Sequence, residues 1–471
     1  MYLRLIFIVV PAVLIVGCGG YFSPAHRSDV NDNLGAAFND RGLASLIENS
    51  VGCDLNDLLL PGSDDFASIP QDPKNPITAD KVALGRMLFH ETALATNPNN
   101  FNNNGNYSCA SCHHVAAGFK AGAPQGIGEG GQGFGQAGEG RVLEAGFSPE
   151  ADDETLLPDI QTIASPAILN LAYQEVMLWN GQFGHMEGGI INNGLPIDVL
   201  ATLETPKVEN LRGLSGIETQ AIAGLGVHRL SVTGDSVLQT NETYKGLFDA
   251  AYPEGSDDVL ADAGKAIAAY ERTILANQAP FQRWLRGDSQ AMTDQEKRGA
   301  ILFFGQAGCA ACHRGPALSS PQGAPENEVF FALGFADLDP NDPRVHGVVD
   351  EKTALGRGGF TGQSEDNYKF KVPQLYNLAD STFYGHGASF SSIRDVVVYK
   401  NTAVPQKHLP EGVLDPRFVP LGLSADEIDD ITAFLTAALR DPNLSRYVPG
   451  TVPSGNCFPN NDSISRLDMG C

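Results

Sequence analysis

Basic residues are scarce in this chain of 471 residues: 31 Lys and Arg stand against 56 Asp and Glu, a formal charge of −25. That balance argues against nucleic acid and anionic membrane surfaces as partners, because both repel a polyanion. It suits a basic soluble protein, such as a small cationic cytochrome or cupredoxin. A membrane-spanning run is also missing. The apolar stretch from Leu5 to Val16 is too short to cross a bilayer and has the length of a signal-peptide core. Tryptophan and methionine are sparse, with 2 and 6 residues, whereas 52 glycines and 29 prolines point to long connecting loops. The length exceeds one ordinary core and predicts two or three domains.

The cysteines are few and mostly accounted for. Of the 8 present, four lie in Cys109-Ala110-Ser111-Cys112-His113 and its repeat Cys309-Ala310-Ala311-Cys312-His313. Cys-x-x-Cys-His is the attachment pattern of c-type haem. On a helical turn the two sulfurs share a face, spaced for thioether bonds to the vinyl groups of a haem. The next histidine comes round beneath the macrocycle and ligates its iron. The pattern predicts two covalently bound haems c, attached at Cys109, Cys112, Cys309 and Cys312, with His113 and His313 as proximal ligands. A zinc site or redox dithiols would leave the histidine after each pair unexplained.

Residues 1–17 end in Ile15-Val16-Gly17 before Cys18, which is similar to a bacterial lipobox. This predicts cleavage, lipidation of Cys18, and a chain anchored to the membrane rather than spanning it. Gly19 fits onward transport to the outer membrane of a Gram-negative bacterium. Among Cys53, Cys457 and Cys471, the preferred pair is Cys457 with Cys471, which bracket a short polar tail; Cys53 is the rival partner for either. Such pairing implies an oxidising compartment, here the periplasm.

Along the chain, residues 18–75 read as a polar extension. Thr78 is a candidate N-cap before Val82, Leu84, Met87 and Leu88. Gly122 to Gly140 is dominated by glycine. Its Gly128-x-Gly130-x-x-Gly133 matches a dinucleotide fingerprint in letters only, following no strand and opening no apolar helix, so it reads as a mobile loop. Leu260, Ala263, Ile267, Tyr270 and Ile274 mark a helix leading to a boundary near Gly287-Asp288. Thr293-x-x-Glu296 and Ser424-x-x-Glu427 are capping boxes that open two further helices. Each haem pattern follows a short helix ending in Leu-Phe, Leu88-Phe89 and Leu302-Phe303, as in an internal duplication. The expected fold is mainly α, two cytochrome c-like haem domains (76–287 and 288–445) with long loops, little β structure and a tail at 446–471.

These segments together resemble the bacterial di-haem cytochrome c peroxidase and MauG superfamily over about residues 76–445. The resemblance rests on Leu84-Gly85-Arg86-Met87-Leu88-Phe89, Ser165-Pro166 with Asn170, Leu178-Trp179-Asn180-Gly181, and Glu218-Thr219-Gln220-Ala221. In the second half it rests on Phe370-Lys371-Val372-Pro373-x-Leu375-x-Asn377 and Tyr384-x-His386-x-x-x-Phe390. It implies that the N-terminal haem meets hydrogen peroxide, that the C-terminal haem receives or stores electrons, and that Trp179 lies between them with Gln220 in the peroxide site.

Three departures from the family stand out. Leu230 occupies the place of the distal acid, and His228-Arg229 fall just before it, an acid–base group and a cation suited to O–O cleavage. The family's Met or Tyr ligand of the second haem falls on Lys400, with Tyr399 beside it. Either would lower the potential relative to Met and favour storage of oxidising equivalents. The residue before Ser165 is Ala164 where the family has a calcium-binding Asn, which puts calcium in doubt. The leading expectation is a peroxidase fed by a small electron-donor protein. The alternatives are a MauG-like oxidase acting on a protein or organic substrate, and a non-enzymatic electron-transfer lipoprotein.

Overall fold

The computed structural model describes residues 40–202, 206–347 and 349–471, so the leader and Cys18 lie outside it. The described chain is mainly helical. Its strands are two short antiparallel pairs, Gly131–Gln132 with Val142–Leu143 and Phe330–Phe331 with Phe370–Lys371.

Helix starts follow the sequence signals closely. Thr78 caps helix Ala79–His90 by accepting the Lys81 N–H. Helices Asp294–Phe304 and Ala425–Ala433 open on the reciprocal Thr293/Glu296 and Ser424/Glu427 boxes. Helix Val259–Thr273 is buried along almost its whole length and packs against both Ala79–His90 and Gly216–Val227.

The duplication reaches into this packing. Gly85 and Gly299 each stand four residues before the Phe that ends the Leu-Phe pair. A Cβ at Gly85 would lie 1.9 Å from the Ala266 carbonyl oxygen, and one at Gly299 would lie 2.0 Å from that of Asp430. In both halves, glycine lets the helix preceding the haem motif touch the backbone of a crossing helix. One continuous apolar cluster runs from Leu43 to Tyr447, on both sides of Gly287.

Two stretches are more ordered than their composition suggests. Residues 40–75 are not a loose extension: Asp40–Val51 is an amphipathic helix that buries Leu43, Ile47 and Val51 against Asp294–Phe304. The segment Gly122–Gly140 is not a mobile loop either, since most of residues 121–134 are buried. Its backbone is held by carboxylates from the far end of the chain. Asp462 accepts the Gly133 N–H at 3.0 Å and pairs with Arg141, and Asp468 accepts the Phe134 and Gly135 N–H groups.

The tail thereby straps back over the first half. The Pro459 carbonyl accepts from Ser108 and Ser111 beside the first haem motif, and Ser454 donates to Glu91. Cys457 pairs with Cys471, as preferred from the sequence, and closes this strap. Converting both to Ser should cost about 3 kcal/mol, the value for a loop of roughly 15 residues. Denaturant unfolding checks this, and an unchanged midpoint would mean the strap is held by its carboxylates alone.

Candidate functional site

Each Cys-x-x-Cys-His forms a tight turn. Cys109–Ser111 and Cys309–Ala311 are 3₁₀ turns, and in each the histidine N–H reaches back to the first cysteine carbonyl, at 3.2 and 3.0 Å. None of the four thiols is in a disulfide. Burial pushes Cys109, Cys112 and Cys309 up to about 12 and raises Cys312. Burial also pushes His113 and His313 down to about 4, which leaves neutral imidazoles at neutral pH, the form that ligates a metal. His313 Nδ1 lies 3.0 Å from the Leu318 carbonyl. The Phe119 and Pro166 carbonyls lie beside His113, whose Nδ1 has no partner at hydrogen-bond geometry.

Beyond the motifs the two halves repeat at a constant offset. Asn170 and Asn377 both adopt left-handed backbone, φ 60° and 55°, and open matching 3₁₀ turns. The bridge Met177–Phe183 encloses Trp179, and the bridge Tyr384–Phe390 encloses His386. The halves join through these equivalents. The Ala164 N–H donates to the His386 carbonyl at 2.9 Å, and the Lys371 N–H donates to the Trp179 carbonyl at 2.8 Å. Trp179 and His386 meet edge to face with centroids 6.2 Å apart, and the Trp179 indole N–H donates to the Ala164 carbonyl.

A cavity of about 350 Å³ opens around Cys309, Cys312 and His313, and Trp179, Pro166 and His386 form one of its walls. Helix Ile393–Thr402 presents Ile393, Val396, Val397 and Lys400 to it, the spacing of one helical face. Tyr399 falls off that face, and its hydroxyl donates to the Leu333 carbonyl at 2.5 Å. Of the two candidate ligands, Lys400 is the one at the cavity, and burial lowers its amine to about 8. Three further amines line the same space, of which Lys407 is paired with Asp337. Lys120 donates to the Phe383 carbonyl at 3.2 Å and Lys371 to the Gln174 side-chain oxygen. Burial lowers both to about 7, with no carboxylate offsetting it. Buried amines facing only neutral oxygens lack an anion. A haem fits this cradle because it brings apolar bulk and carboxylates together.

The surroundings of His113 are different. His228 caps helix Gly216–Val227, and its Nδ1 lies 2.7 Å from the Asp159 carboxylate. Burial alone would lower the His228 ring, but Asp159 raises it above its usual value. Arg229, in left-handed backbone at φ 54°, donates to the fully buried Glu129 carboxylate. Glu129 also accepts from the Asn99 and Asn100 N–H groups. The buried Tyr107 hydroxyl, which has no partner, feels Glu129, Asp159 and Arg229. Gln220 shares the helix face of His228: a Cβ at the intervening Gly224 would lie 3.7 Å from Gln220 Nε2 and 3.9 Å from His228 Cδ2. Glu218, another carboxylate near this point of the sequence, is taken by Arg272 at 2.6 Å. At the cysteine side, a Cβ at Gly126 would lie 2.7 Å from Cys112 Sγ, so this segment presses directly on the attachment sulfur. Glu129 and Asp159 were not singled out in the sequence, where the only pointer was acidic residues within and just after a glycine-rich stretch.

The model of the family described as di-haem cytochrome c peroxidase matches residues 79–290. The cytochrome-c peroxidase IdrP1 of Denitromonas iodatirespirans is 27% identical over 388 residues, covering 78% of this chain and 84% of its own. The methylamine utilization protein MauG of Methylorubrum extorquens is 28% identical over 382 residues, covering 80% and 82%. Among solved structures, a MauG-like protein associated with microbial copper homeostasis shares the fold, with a TM-score of 0.53 at 22% identity over 82% of this chain and 95% of its own.

The cradle around Cys309 makes a prediction of sign. Lys120→Met or Lys371→Met should lower the thermal midpoint of the haem-loaded protein, because a cofactor carboxylate loses its cation. If the amines are unpaired in the loaded protein, methionine relieves a buried charge and the midpoint rises instead.

Proposed function

This chain belongs to the bacterial di-haem cytochrome c peroxidase and MauG superfamily, and from that premise we propose that it reduces hydrogen peroxide to water at the His113 haem, with electrons relayed from the His313 haem. Membership implies two c-type haems and an oxidoreductase of the haem peroxidase kind. The observation that carries the proposal is the asymmetry of the two surroundings. On the first side stand an imidazole whose charge is felt at His113, a guanidinium next to it in sequence and an amide on the same helix face, namely His228, Arg229 and Gln220. Around His313 the walls are mostly apolar, the charged groups are the amines of Lys120, Lys371, Lys400 and Lys407 with Asp415 and Arg417, and the His386 imidazole is stacked on Phe370. Acid–base chemistry is available at the first site, and charge storage suits the second.

A haem held by Cys109, Cys112 and His113 would supply the iron redox chemistry for peroxide reduction. His228 then moves a proton from the inner to the outer peroxide oxygen, Arg229 stabilises negative charge as the O–O bond breaks, and Gln220 orients the peroxide. Trp179, against His386 and at the wall of the second cavity, serves as the bridge between the haems. Lys400 would help hold the second haem, its amine being at the cavity. The electron donor is a small basic cytochrome or cupredoxin, matched to the acidic chain. The protein works in the periplasm, held by a lipid on Cys18; no helix among the described residues is long and apolar enough to cross a membrane.

Lys400 also favours a second reading, a MauG-like oxidase that stores oxidising equivalents and acts on a protein side chain. An amine ligand in place of Met supports higher oxidation states of the second haem.

Cys109→Ala with Cys112→Ala should leave one covalent haem and abolish peroxide turnover. Cys309→Ala with Cys312→Ala should keep the first haem's reaction with peroxide and lose electron relay from the donor. A pyridine haemochrome assay with turnover measurements checks both, and turnover surviving in the first variant would reverse the roles of the two haems. In the intact protein, His228→Ala should slow peroxide cleavage by roughly 10²–10⁴. Arg229→Ala should slow it by about 10²–10³. Stopped-flow spectroscopy reads both rates.

A further inference from the structure

The segment between the first haem motif and Trp179 is built to carry one carboxylate to one imidazole. Asp159 is pinned to the glycine-rich strand from both sides: the Gly128 N–H donates to its carbonyl at 2.8 Å, and its own N–H donates to the Glu129 carbonyl at 3.0 Å. A Cβ at Gly128 would lie 2.3 Å from Asp159 Oδ2, so only glycine leaves the carboxylate room to reach across. What it reaches is His228 Nδ1, at 2.7 Å. The pair joins positions 69 apart in sequence, coming from different parts of the first half.

The His228 ring is therefore fixed in one sense. A carboxylate at Nδ1 requires a proton there, which leaves Nε2 as the basic nitrogen. Asp159 is largely buried while the His228 side chain is 31% exposed. The charge of His228 is felt at His113, and that of Asp159 at Cys112, which places the pair beside the first haem motif. The other charged groups facing the pair are Arg229 from the same helix end and Arg141 from the glycine-rich segment, with Glu129 and Tyr107 just behind.

We propose that Asp159 is the positioning residue of the peroxide reaction, holding His228 with Nδ1 protonated and Nε2 turned to the His113 site, so that the peroxide proton moves through a carboxylate-backed imidazole. This rests on the reading of the His113 haem as the peroxide site and of His228 as its acid–base group. In the step, the Nε2 lone pair takes the proton of the inner oxygen, and the imidazolium that forms is stabilised by the Asp159 carboxylate. The O–O bond then breaks with its electron pair on the outer oxygen, which takes the proton back from Nε2 and leaves as water. The remaining oxygen takes two protons from solvent and two electrons from the one-electron donor protein, giving the second water. The net reaction is HOOH + 2H⁺ + 2e⁻ → 2H₂O.

The test is a double-mutant cycle on the di-haem protein, reading the rate of its reaction with peroxide by stopped-flow spectroscopy from about pH 5 to pH 8, where histidine titrates. Asp159→Asn keeps the shape and removes the charge. It should slow the reaction by roughly 10- to 100-fold, the loss seen when the carboxylate behind a metal-bound histidine is removed. Only the neutral ring can take a proton, and Asp159 raises the ring's pKa. The parental rate should therefore fall off below a higher pH than in Asp159→Asn, whose acid limb moves down. In a His228→Ala background, Asp159→Asn should add no further loss, because it acts only through that ring. Asp159→Glu should keep the parental acid limb at a lower plateau, and it serves as the readout if Asp159→Asn fails to retain both haems.

The outcomes separate the two claims. A slow His228→Ala with a parental Asp159→Asn, in rate and pH profile, overturns the role of Asp159 and leaves His228 standing. Losses that multiply in the double variant overturn it as well, as does an acid limb shifted downward in Asp159→Glu. A parental rate in His228→Ala overturns the reading of His228 on which the proposal rests.

Discussion

Two reciprocal backbone hydrogen bonds, Ala164 to His386 and Lys371 to Trp179, fix how the halves of this protein face each other. Because the four residues are equivalents under the internal duplication, the contact is self-complementary in the manner of a twofold dimer interface. It sets Trp179 against His386 and brings both to the wall of the second cavity. The segment that starts at Ala164 also carries Pro166 beside His113, and the segment that starts at Lys371 carries Pro373 beside His313. The junction and the two haem motifs are therefore linked by only a few residues on each side.

On that symmetric frame the chemistry is asymmetric. Lys120 and Lys371 reach the second cavity, while their equivalents in the repeat are the uncharged Ser319 and Ala164. Beside His113 the additions come instead from outside the repeat. The glycine-rich segment brings Glu129 and Asp159, and the C-terminal strap fixes that segment through Asp462 and Asp468. A strap that begins after the second half and ends on the first makes the surroundings of His113 a product of the whole chain. Neither half contains them alone.

Local signals were legible in the sequence and long-range ones were not. The haem motifs, the Thr78, Thr293 and Ser424 caps and the stripe of Val259–Thr273 each depend on residues within one or two turns, so spacing alone reveals them. The choice between Tyr399 and Lys400 was beyond counting from His386, but the helix phase set by Ile393 decides which one meets the cavity. Helix Asp40–Val51 is masked in the sequence although Leu43, Ile47 and Val51 carry its period, because polar residues dominate its surroundings. Glu129 and Asp159 were invisible for a firmer reason. A glycine-rich segment has no periodicity, and its order comes from carboxylates far away in sequence. A partner for His228 could not be read from its neighbours.

The central claim is that the His113 haem is where peroxide reacts and that its electrons come from outside through the His313 haem. Rapid mixing of the purified protein with peroxide, in the presence of a reduced small basic cytochrome and monitored optically, tests it most directly. The account predicts an immediate change in the first haem's spectrum, followed by oxidation of two cytochromes for each peroxide consumed. A spectrum that peroxide leaves untouched, with both irons fully ligated and the cytochrome still reduced, would contradict it.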